Sequence, residues 1–528
     1  MRKTLLLAAT ALVAAASFTA TAEAGGRTAR DSRDAEIQEL KARLERLEQQ
    51  AEEDRRANQD AAVQEQSRLL KLEKTPVTLA DGRPCFNTND NSFQACLRGR
   101  IQLDVADYEI DLADLGANVP SAQRDLGSGA VFRRARFGIE GRFFTDFIYE
   151  LRLDFGGTDT EGSAIINIAR VGWAPASIPG FRIHAGALQP IMTMYDATSS
   201  AELNTIERAA VVTTLVGAFG GDNGRRGVEA TWQKENLLYQ GDNFMISTAF
   251  TGDRVDGNGV GHSGSNIDDE KTQLLGRVAY RVYSDAPSNT NIQIGATAAE
   301  ILSLTGTTPG AARTIQLRER PEIRVDGTRW IDTGAIPADG GLAYGFEAAA
   351  QWQNFWIGGE WYKMDLDRDH CPSGCNNLSS KDPSFSGYYA EATWIITGEA
   401  KRYVAAGTNN NVAVWRGPAV ANPVGFAGGV GNGWGAWELT TRYSVLDLNS
   451  DENDAITANR IRGGQQKIWN FGVNWYLNAN LKTVLEYAMV DVDRSSCTAI
   501  AGGGCSNALN SGLDAEFDIV QGRMQFSF

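Results

Sequence analysis

Arginines spaced two residues apart are the side chains in this sequence best suited to chemistry. Arg134, Arg136 and Arg142 lie in residues 131–143, where the positions between them are mainly apolar. A guanidinium group keeps its charge and donates two parallel hydrogen bonds, which suits phosphate and carboxylate anions. Side chains two residues apart share one face of a β-strand. This spacing therefore predicts guanidinium groups on one face and an apolar surface on the other.

The same alternation recurs along the chain and enlarges the set of candidate anion contacts. The arginines that alternation assigns to the inward face are Arg98, Arg100, Arg134, Arg136, Arg142, Arg152, Arg170, Arg182 and Arg442. Carboxylates such as Glu140, Glu150 and Asp154 share this face. Ion pairs that brace a wall are therefore the competing interpretation for each arginine.

The histidines give little support for catalysis. A hydrolase would need a nucleophile and a base within hydrogen-bond reach of each other. His184, His262 and His370 are the three histidines, and none has a motif partner. We therefore expect no enzyme activity. We also expect no cofactor and no nucleic-acid partner.

Six cysteines fall into three local pairs. The pairs are Cys85 with Cys96, Cys371 with Cys375, and Cys497 with Cys505. In a secreted protein, close pairs of this kind favour disulfides. A zinc site near His370 is the alternative, but four converging ligands are not evident. We expect three disulfides and no metal.

The N-terminal region divides into three segments. Residues 1–24 combine a charged start, a short apolar run and an Ala-x-Ala ending, which predicts a cleaved signal peptide. Residues 25–34 are polar and are expected to be flexible. Residues 35–74 have a helix-forming composition, and Ile37, Leu40, Leu44 and Leu47 follow heptad spacing. We expect a short coiled coil, with a solvated single helix as the alternative.

From residue 84 to residue 528 the hydrophobic period becomes two. Strands with one apolar face and one charged face predict an all-β transmembrane barrel of about 16 antiparallel strands. A soluble sandwich would not keep placing aromatic residues at strand ends, where a bilayer interface favours them. The predicted strand starts are Leu97, Val131, Asp146, Ala164, Phe181, Arg226, Asn243, Gln273, Asn291, Ala343, Phe355, Gly387, Gly435, Lys467, Asn480 and Ala515.

The connections between strands should alternate between long and short. Residues 189–225 and 301–342 are long connections at odd positions, whereas residues 353–354 form a tight turn. Residues 397–434 are an exception, because a long segment stands where a turn is expected. The last strand ends on Phe528, an ending typical of substrates of the barrel-assembly machinery, which we expect as a partner.

Several motifs in order resemble the phosphate-selective porin O and P family from the coiled coil to Phe528. The matching pieces include residues 132–136, 173–175, 186–190, 197–200, 387–389, 435–439 and 474–478. The resemblance implies a sixteen-stranded homotrimeric porin whose third long loop, residues 189–225, folds inward. It adds Arg133 as a partner of Arg134, although alternation sends only one of the two inward. It also adds the loop candidates Ser199, Ser200, Glu202, Glu207 and Arg208.

The expected function is a water-filled channel in the Gram-negative outer membrane for small hydrophilic solutes, in particular anions such as phosphate. Two features oppose phosphate selectivity: the formal net charge is −15, and Ala201 and Glu202 stand where some family members have a lysine. The alternatives are a general or cation-preferring porin, or a barrel that anchors an envelope tether. The partners expected are outer-membrane lipid and, through a periplasmic coiled coil, peptidoglycan.

Overall fold

The computed structural model describes residues 28–72, 77–80, 82–88, 90, 92–110, 126–157, 165–219, 224–255, 271–304, 313–369, 379–407, 410–425, 433–495 and 513–528. The expected signal peptide, His262, His370 and the cysteine pairs Cys371–Cys375 and Cys497–Cys505 lie outside these residues.

One long helix, α1, covers Thr28–Leu72 within a compact unit separate from the rest of the chain. The heptad side chains Leu40, Leu44 and Leu47 are each more than half exposed to solvent. The side chain of Ile37 lies outside the described residues. Among the described helices, none is long and apolar enough to cross a membrane.

Sixteen antiparallel strands form one closed barrel, because the last strand pairs with the first. The strands are β1 Phe93–Glu109, β2 Gly129–Phe143, β3 Phe147–Asp154, β4 Ile165–Trp173, β5 Phe181–Leu188, β6 Arg225–Glu235, β7 Asn243–Arg254, β8 Thr272–Asp285, β9 Thr290–Ser303, β10 Ile336–Trp352, β11 Phe355–Arg368, β12 Ser384–Ile395, β13 Ala436–Ser450, β14 Ile461–Tyr476, β15 Leu481–Arg494 and β16 Leu513–Ser527. The predicted barrel and its strand number are confirmed.

Alternation along the strands sorts the side chains between the two faces of the wall. On β1, Gln102 and Asp104 are fully buried inside the barrel, whereas Ile101 and Val105 are about half exposed outside. The predicted start of β10 is the least accurate, because the strand begins at Ile336. Residues 337–341 include proline and two glycines, which break the apolar alternation on which the prediction depends.

The connections define two ends of the barrel. At the short-turn end, residues 144–146, 286–289 and 353–354 close tight hairpins, whereas the opposite, long-loop end carries the longer connections. Residues 396–435 remain the exception, a long connection at the short-turn end.

A loop after β5, residues 189–219, crosses the interior and is here called the crossing loop. Its backbone N–H groups donate to wall glutamates on strands far apart around the barrel. Ile191 donates to Glu229, at 2.7 Å, and Ile206 donates to Glu486, at 3.1 Å. Two further donations, from Met194 to Glu347 and from Tyr195 to Glu360, hold the middle of this route.

A second loop, residues 313–335, fills the long-loop half of the interior and is here called the cap loop. Its Glu322 carboxylate accepts hydrogen bonds from Ser444, at 2.7 Å, and Asn470, at 3.0 Å. The Trp330 ring packs on Phe517, with ring centroids 4.5 Å apart. The apolar cluster that joins the two loops to the wall includes Ile206, Val211, Leu215, Ile323, Trp330, Phe385, Leu446 and Val492.

The long connection at the short-turn end also folds into the barrel. This plug segment, residues 396–407 and 410–425, forms a small hairpin from Arg402–Val404 and Val414–Arg416. Its Trp415 indole donates to Gln351, at 2.8 Å, and the Ala413 carbonyl accepts from Arg277, at 3.0 Å. The segment that interrupted the expected alternation of connections is therefore an internal element.

We predict that a charge on the outward face of the barrel destabilises it. Phe137, in the middle of β2, is 52% exposed and pairs with Gly99 and Leu153 on the neighbouring strands. Arginine at a lipid-facing midplane position costs about 2–4 kcal/mol. Phe137→Arg should therefore lower the free energy of unfolding by that amount in lipid vesicles, measured by urea titration. Phe137→Leu is the control, and equal stability of the two variants would contradict a lipid-facing surface.

Candidate functional site

A cavity of about 560 Å³ opens at the short-turn end of the barrel. Strands β1, β2 and β3, the crossing loop, the plug segment and the β14–β15 turn all contribute to its lining. Its charged lining residues are Arg83, Arg98, Arg100, Arg136, Arg152, Glu202, Arg402, Arg416 and Lys482. Positive side chains therefore dominate the cavity, although the whole chain is acidic.

The arginines of the first three strands converge because of strand register. Arg98 and Arg100 are two residues apart on β1, so their side chains share the inward face. Arg136 on β2 lies directly opposite Arg100, and Arg152 on β3 lies opposite Gly138 of β2. These four predicted arginines therefore line the cavity together.

Carboxylates compensate three of these four guanidinium groups. Arg98 pairs with Glu140, at 2.6 Å, and Arg136 pairs with Asp154, at 2.5 Å. Arg152 lies 3.8 Å from Glu150, a looser ion pair. The competing interpretation of these arginines as wall braces therefore has direct structural support.

Arg100 differs from its neighbours. Its guanidinium group donates to the hydroxyl groups of Ser200 and Ser199, at 2.6 Å and 2.7 Å. Among the described residues it makes no ion pair with a carboxylate, and it is only 9% exposed. The predicted loop residues Ser199 and Ser200 thus hold a buried, uncompensated cation at the edge of the cavity.

Glu202 also lines the cavity but serves the plug segment. Its carboxylate accepts the backbone N–H of Gly417, at 2.8 Å. A negative charge therefore lies close to the serines that hold Arg100.

A β-bulge corrects the prediction that alternation sends only one of Arg133 and Arg134 inward. The register between β1 and β2 shifts at Gln102, which pairs with Arg134, whereas the next residue pairs with Phe132. The extra residue is Arg133, so both arginines lie inside and Phe132 points outward, 57% exposed. A bulge depends on the pairing of two strands, so the alternation of one strand could not locate it.

Both arginines at the bulge form ion pairs with the crossing loop and do not line the cavity. Glu207 pairs with Arg133, at 3.0 Å, with Arg134, at 3.2 Å, and with Arg523, at 2.7 Å. Burial of the Glu207 carboxyl opposes ionisation, but the guanidinium groups, with that of Arg133 contributing most, outweigh it. The pKa of Glu207 therefore lies well below its ordinary value.

The remaining predicted arginines lie apart from the main cavity. Arg170 and Arg208 line a smaller recess of about 40 Å³ behind Ser199. Arg182 donates to the Gly407 carbonyl of the plug segment, at 2.7 Å, and Arg142 donates to a turn carbonyl at the rim. Arg442 is buried against Glu322 and the crossing loop.

Sequence patterns did not identify four of the cationic residues in the cavity. Arg402 and Arg416 belong to the plug segment, whose inward fold has no periodic signal. Lys482 lies at the start of β15 and donates to the Leu203 carbonyl, at 2.7 Å. Arg83 belongs to a short hairpin that precedes the barrel.

The predicted disulfide between Cys85 and Cys96 is present. Within the described part of the chain, no group of His, Cys, Asp or Glu is arranged to hold a metal ion. His184 is buried, 2% exposed, on the inward face of β5.

A closed barrel with an apolar outer face, a charged interior and a basic cavity defines an outer-membrane channel. The chain belongs to the phosphate-selective porin O and P family, whose family model matches residues 96–528.

The chain is also similar to curated relatives and to solved structures. An uncharacterised protein of Caulobacter vibrioides is 26% identical over 450 residues, 85% of this chain and 76% of the relative. Porin O of Pseudomonas aeruginosa is 22% identical over 423 residues, 77% of this chain and 85% of that protein. The anion-selective porin from Comamonas acidovorans is 12% identical, with a TM-score of 0.45 and coverage of 83% of this chain and 100% of that one. The outer-membrane channel DcaP of Acinetobacter baumannii is 10% identical, with a TM-score of 0.44 and coverage of 84% of this chain and 99% of that one.

We predict that Glu207→Gln destabilises the barrel by roughly 3–5 kcal/mol at neutral pH, because it removes a carboxylate that three buried guanidinium groups share. A carboxyl group whose pKa is lower in the folded state stabilises the fold at pH values above its ordinary pKa, here 4.5. That stabilisation is lost as the pH falls through the lowered pKa. The difference from wild type should therefore shrink in acid.

Denaturant titrations at pH 7 and below pH 4 measure both effects. Glu202→Gln is the control, since an amide oxygen can still accept the Gly417 hydrogen bond. A pH-independent difference for Glu207→Gln would show that its charge does not hold the crossing loop.

Proposed function

We propose that this outer-membrane channel conducts small anions in preference to cations, through the basic cavity at the short-turn end. The observation that carries the proposal is Arg100, a buried guanidinium group bound by two serine hydroxyls and by no carboxylate of the described residues. An anion at the edge of the cavity can supply the missing counter-charge.

The surrounding charges reinforce this preference. Arg402 donates to a backbone carbonyl, at 2.9 Å, and like Arg416 it has no ion pair within the described residues. Low-dielectric walls concentrate the field of such charges into the aqueous path, and a ring of cations then raises the local concentration of anions. The acidic residues elsewhere on the protein act from farther away and are screened by salt.

The expected preference is moderate, and phosphate is one of several anions that fit. Arginine forks bind phosphate and carboxylate alike. Glu202 places a negative charge near Ser199 and Ser200, which opposes tight capture of a multiply charged anion. We therefore favour passive diffusion of small inorganic and organic anions over a dedicated phosphate site. We retain Arg98, Arg100, Arg136 and Arg152 as the residues that contact the permeating anion.

We assign no catalytic step to this protein. Its histidine in the described interior, His184, is buried within the wall, and the interior charges serve as ion pairs and loop anchors. The channel function accounts for the inward polar residues without any chemistry on the solute.

We further propose a homotrimer with helix α1 in the periplasm. The exposed stripe of Leu40, Leu44 and Leu47 supports self-association, since a coiled coil would bury these side chains. Contact of this coil with peptidoglycan, and recognition of the strand that ends at Phe528 by the barrel-assembly machinery, belong to the same proposal. Electrophoresis of unheated samples, with and without residues 28–72, tests the contribution of the helix to the trimer.

We predict that the wild-type channel in a planar bilayer is more permeable to chloride than to potassium, and that the sign of its reversal potential under a potassium chloride gradient shows this. Arg100→Gln should lower the anion-to-cation permeability ratio by about twofold at 0.1 M salt, and by less at 1 M because of screening. Arg100→Lys retains the charge and is the control. A wild-type preference for potassium would refute the proposal and leave a general or cation-preferring porin.

A further inference from the structure

A short hairpin completes the barrel wall where its first and last strands meet. This rim hairpin consists of Val77–Ala80 and Arg83–Asn87. Strand β16 pairs with β1 only as far as Arg100, beyond which Phe528 and Gly99 exchange two backbone hydrogen bonds, each of 3.0 Å. The other edge of β1 is already occupied by β2. The start of β1 would therefore be left unpaired on the side of β16.

The rim hairpin takes this vacant edge. Cys85 pairs with Cys96, and Asn87 pairs with Gln94, in antiparallel register. The hairpin thus continues the line of β16 after that strand has ended. An unpaired strand edge is costly when it is shielded from water, so the position requires a partner.

The turn of the rim hairpin also contacts the wall. Gly82 has a φ of +75° and packs so closely on Asn480 that a Cβ atom would lie 2.6 Å from the Asn480 side-chain nitrogen. Asn480 belongs to the turn between β14 and β15. The rim hairpin therefore lies along the rim across the end of β16.

Alternation within the rim hairpin directs Arg83 to the channel side. Arg83 and Cys85 share one face of their strand, and Cys96, Arg98 and Arg100 share the inward face of β1. The disulfide between Cys85 and Cys96 joins these two faces. Both cysteines are buried, so the link lies beneath the surface of the channel mouth.

Arg83 reaches the same carboxylate as the first arginine of the barrel. Its guanidinium group forms an ion pair with Glu140, which also pairs with Arg98, at 2.6 Å. The Arg83 side chain remains 22% exposed and lines the cavity. Arg98 also lies 3.2 Å from Glu150, which pairs in turn with Arg152 and Arg170, so two carboxylates are shared by four guanidinium groups beside the mouth.

We propose that the rim hairpin is a selectivity element: Arg83 is a specificity-determining residue of the channel mouth, held in place by the Cys85–Cys96 disulfide. The proposal rests on the anion preference argued above for the direction of the effect. Arg83 acts on the permeating ion through its charge, and the disulfide acts by positioning Arg83.

The test compares full-length refolded variants in planar bilayers under a potassium chloride gradient. Arg83→Gln should lower the anion-to-cation permeability ratio by about twofold at 0.1 M salt, with a smaller effect at 1 M. Lys234→Gln is the matched control, because Lys234 is an exposed outward-facing cation near the same end of the barrel. Heat-modifiable migration in electrophoresis verifies that each variant is folded.

The double variant Cys85→Ser with Cys96→Ser tests the positioning role. It should shift the ratio in the same direction, and adding Arg83→Gln to it should change the ratio less than Arg83→Gln does in the wild type, since residues that act together are not additive. A double variant with wild-type selectivity would overturn the role of the disulfide.

The two proposals fail in different ways. If the wild type lacks anion preference while Arg83→Gln still moves the reversal potential toward cations, the anion preference is wrong and the selectivity element stands. If the wild type prefers anions and Arg83→Gln behaves like Lys234→Gln, the selectivity element is overturned and the anion preference stands.

Discussion

The structure depends on one constraint: polypeptide that enters the interior of the barrel must find partners for its backbone N–H groups. Strand pairing already uses the backbone groups of the wall, so side chains have to supply the acceptors. Wall glutamates do so for the crossing loop, as Glu229 does for Ile191 and Glu486 for Ile206. Hydrogen bonds to a charged acceptor are stronger than neutral ones, so a few carboxylates fix the path of a long loop.

Ion pairs inside the barrel explain how an acidic protein carries a basic cavity. Interior acids such as Glu207 pair with guanidinium groups, so their charge is compensated. Cations without an ion pair in the described part of the chain, among them Arg100, line the cavity at the short-turn end. Overall charge and channel charge are therefore independent quantities, and the selectivity of the pore follows from which residues remain without a counter-ion.

Much of the fold could be predicted from the sequence, because polar residues that face the interior alternate with apolar residues that face outward along each strand. The inward placement of Arg98, Arg100, Arg136 and Arg152 follows from this period alone. The Cys85–Cys96 disulfide followed from local spacing. In contrast, the plug segment and the cap loop have no period, since their side chains meet partners from many directions, and Arg402 and Arg416 were missed for this reason.

The sequence by itself determined the barrel, its strands and the face on which each regular residue lies, because these depend on interactions of period two along one strand. Only the tertiary structure decided which arginines act as braces and which line the cavity. The bulge at Arg133 needs the register of two strands, and the serine partners of Arg100 come from a loop a hundred residues away along the chain. Such pairings are set by the closure of the barrel, which brings together residues that share no local pattern.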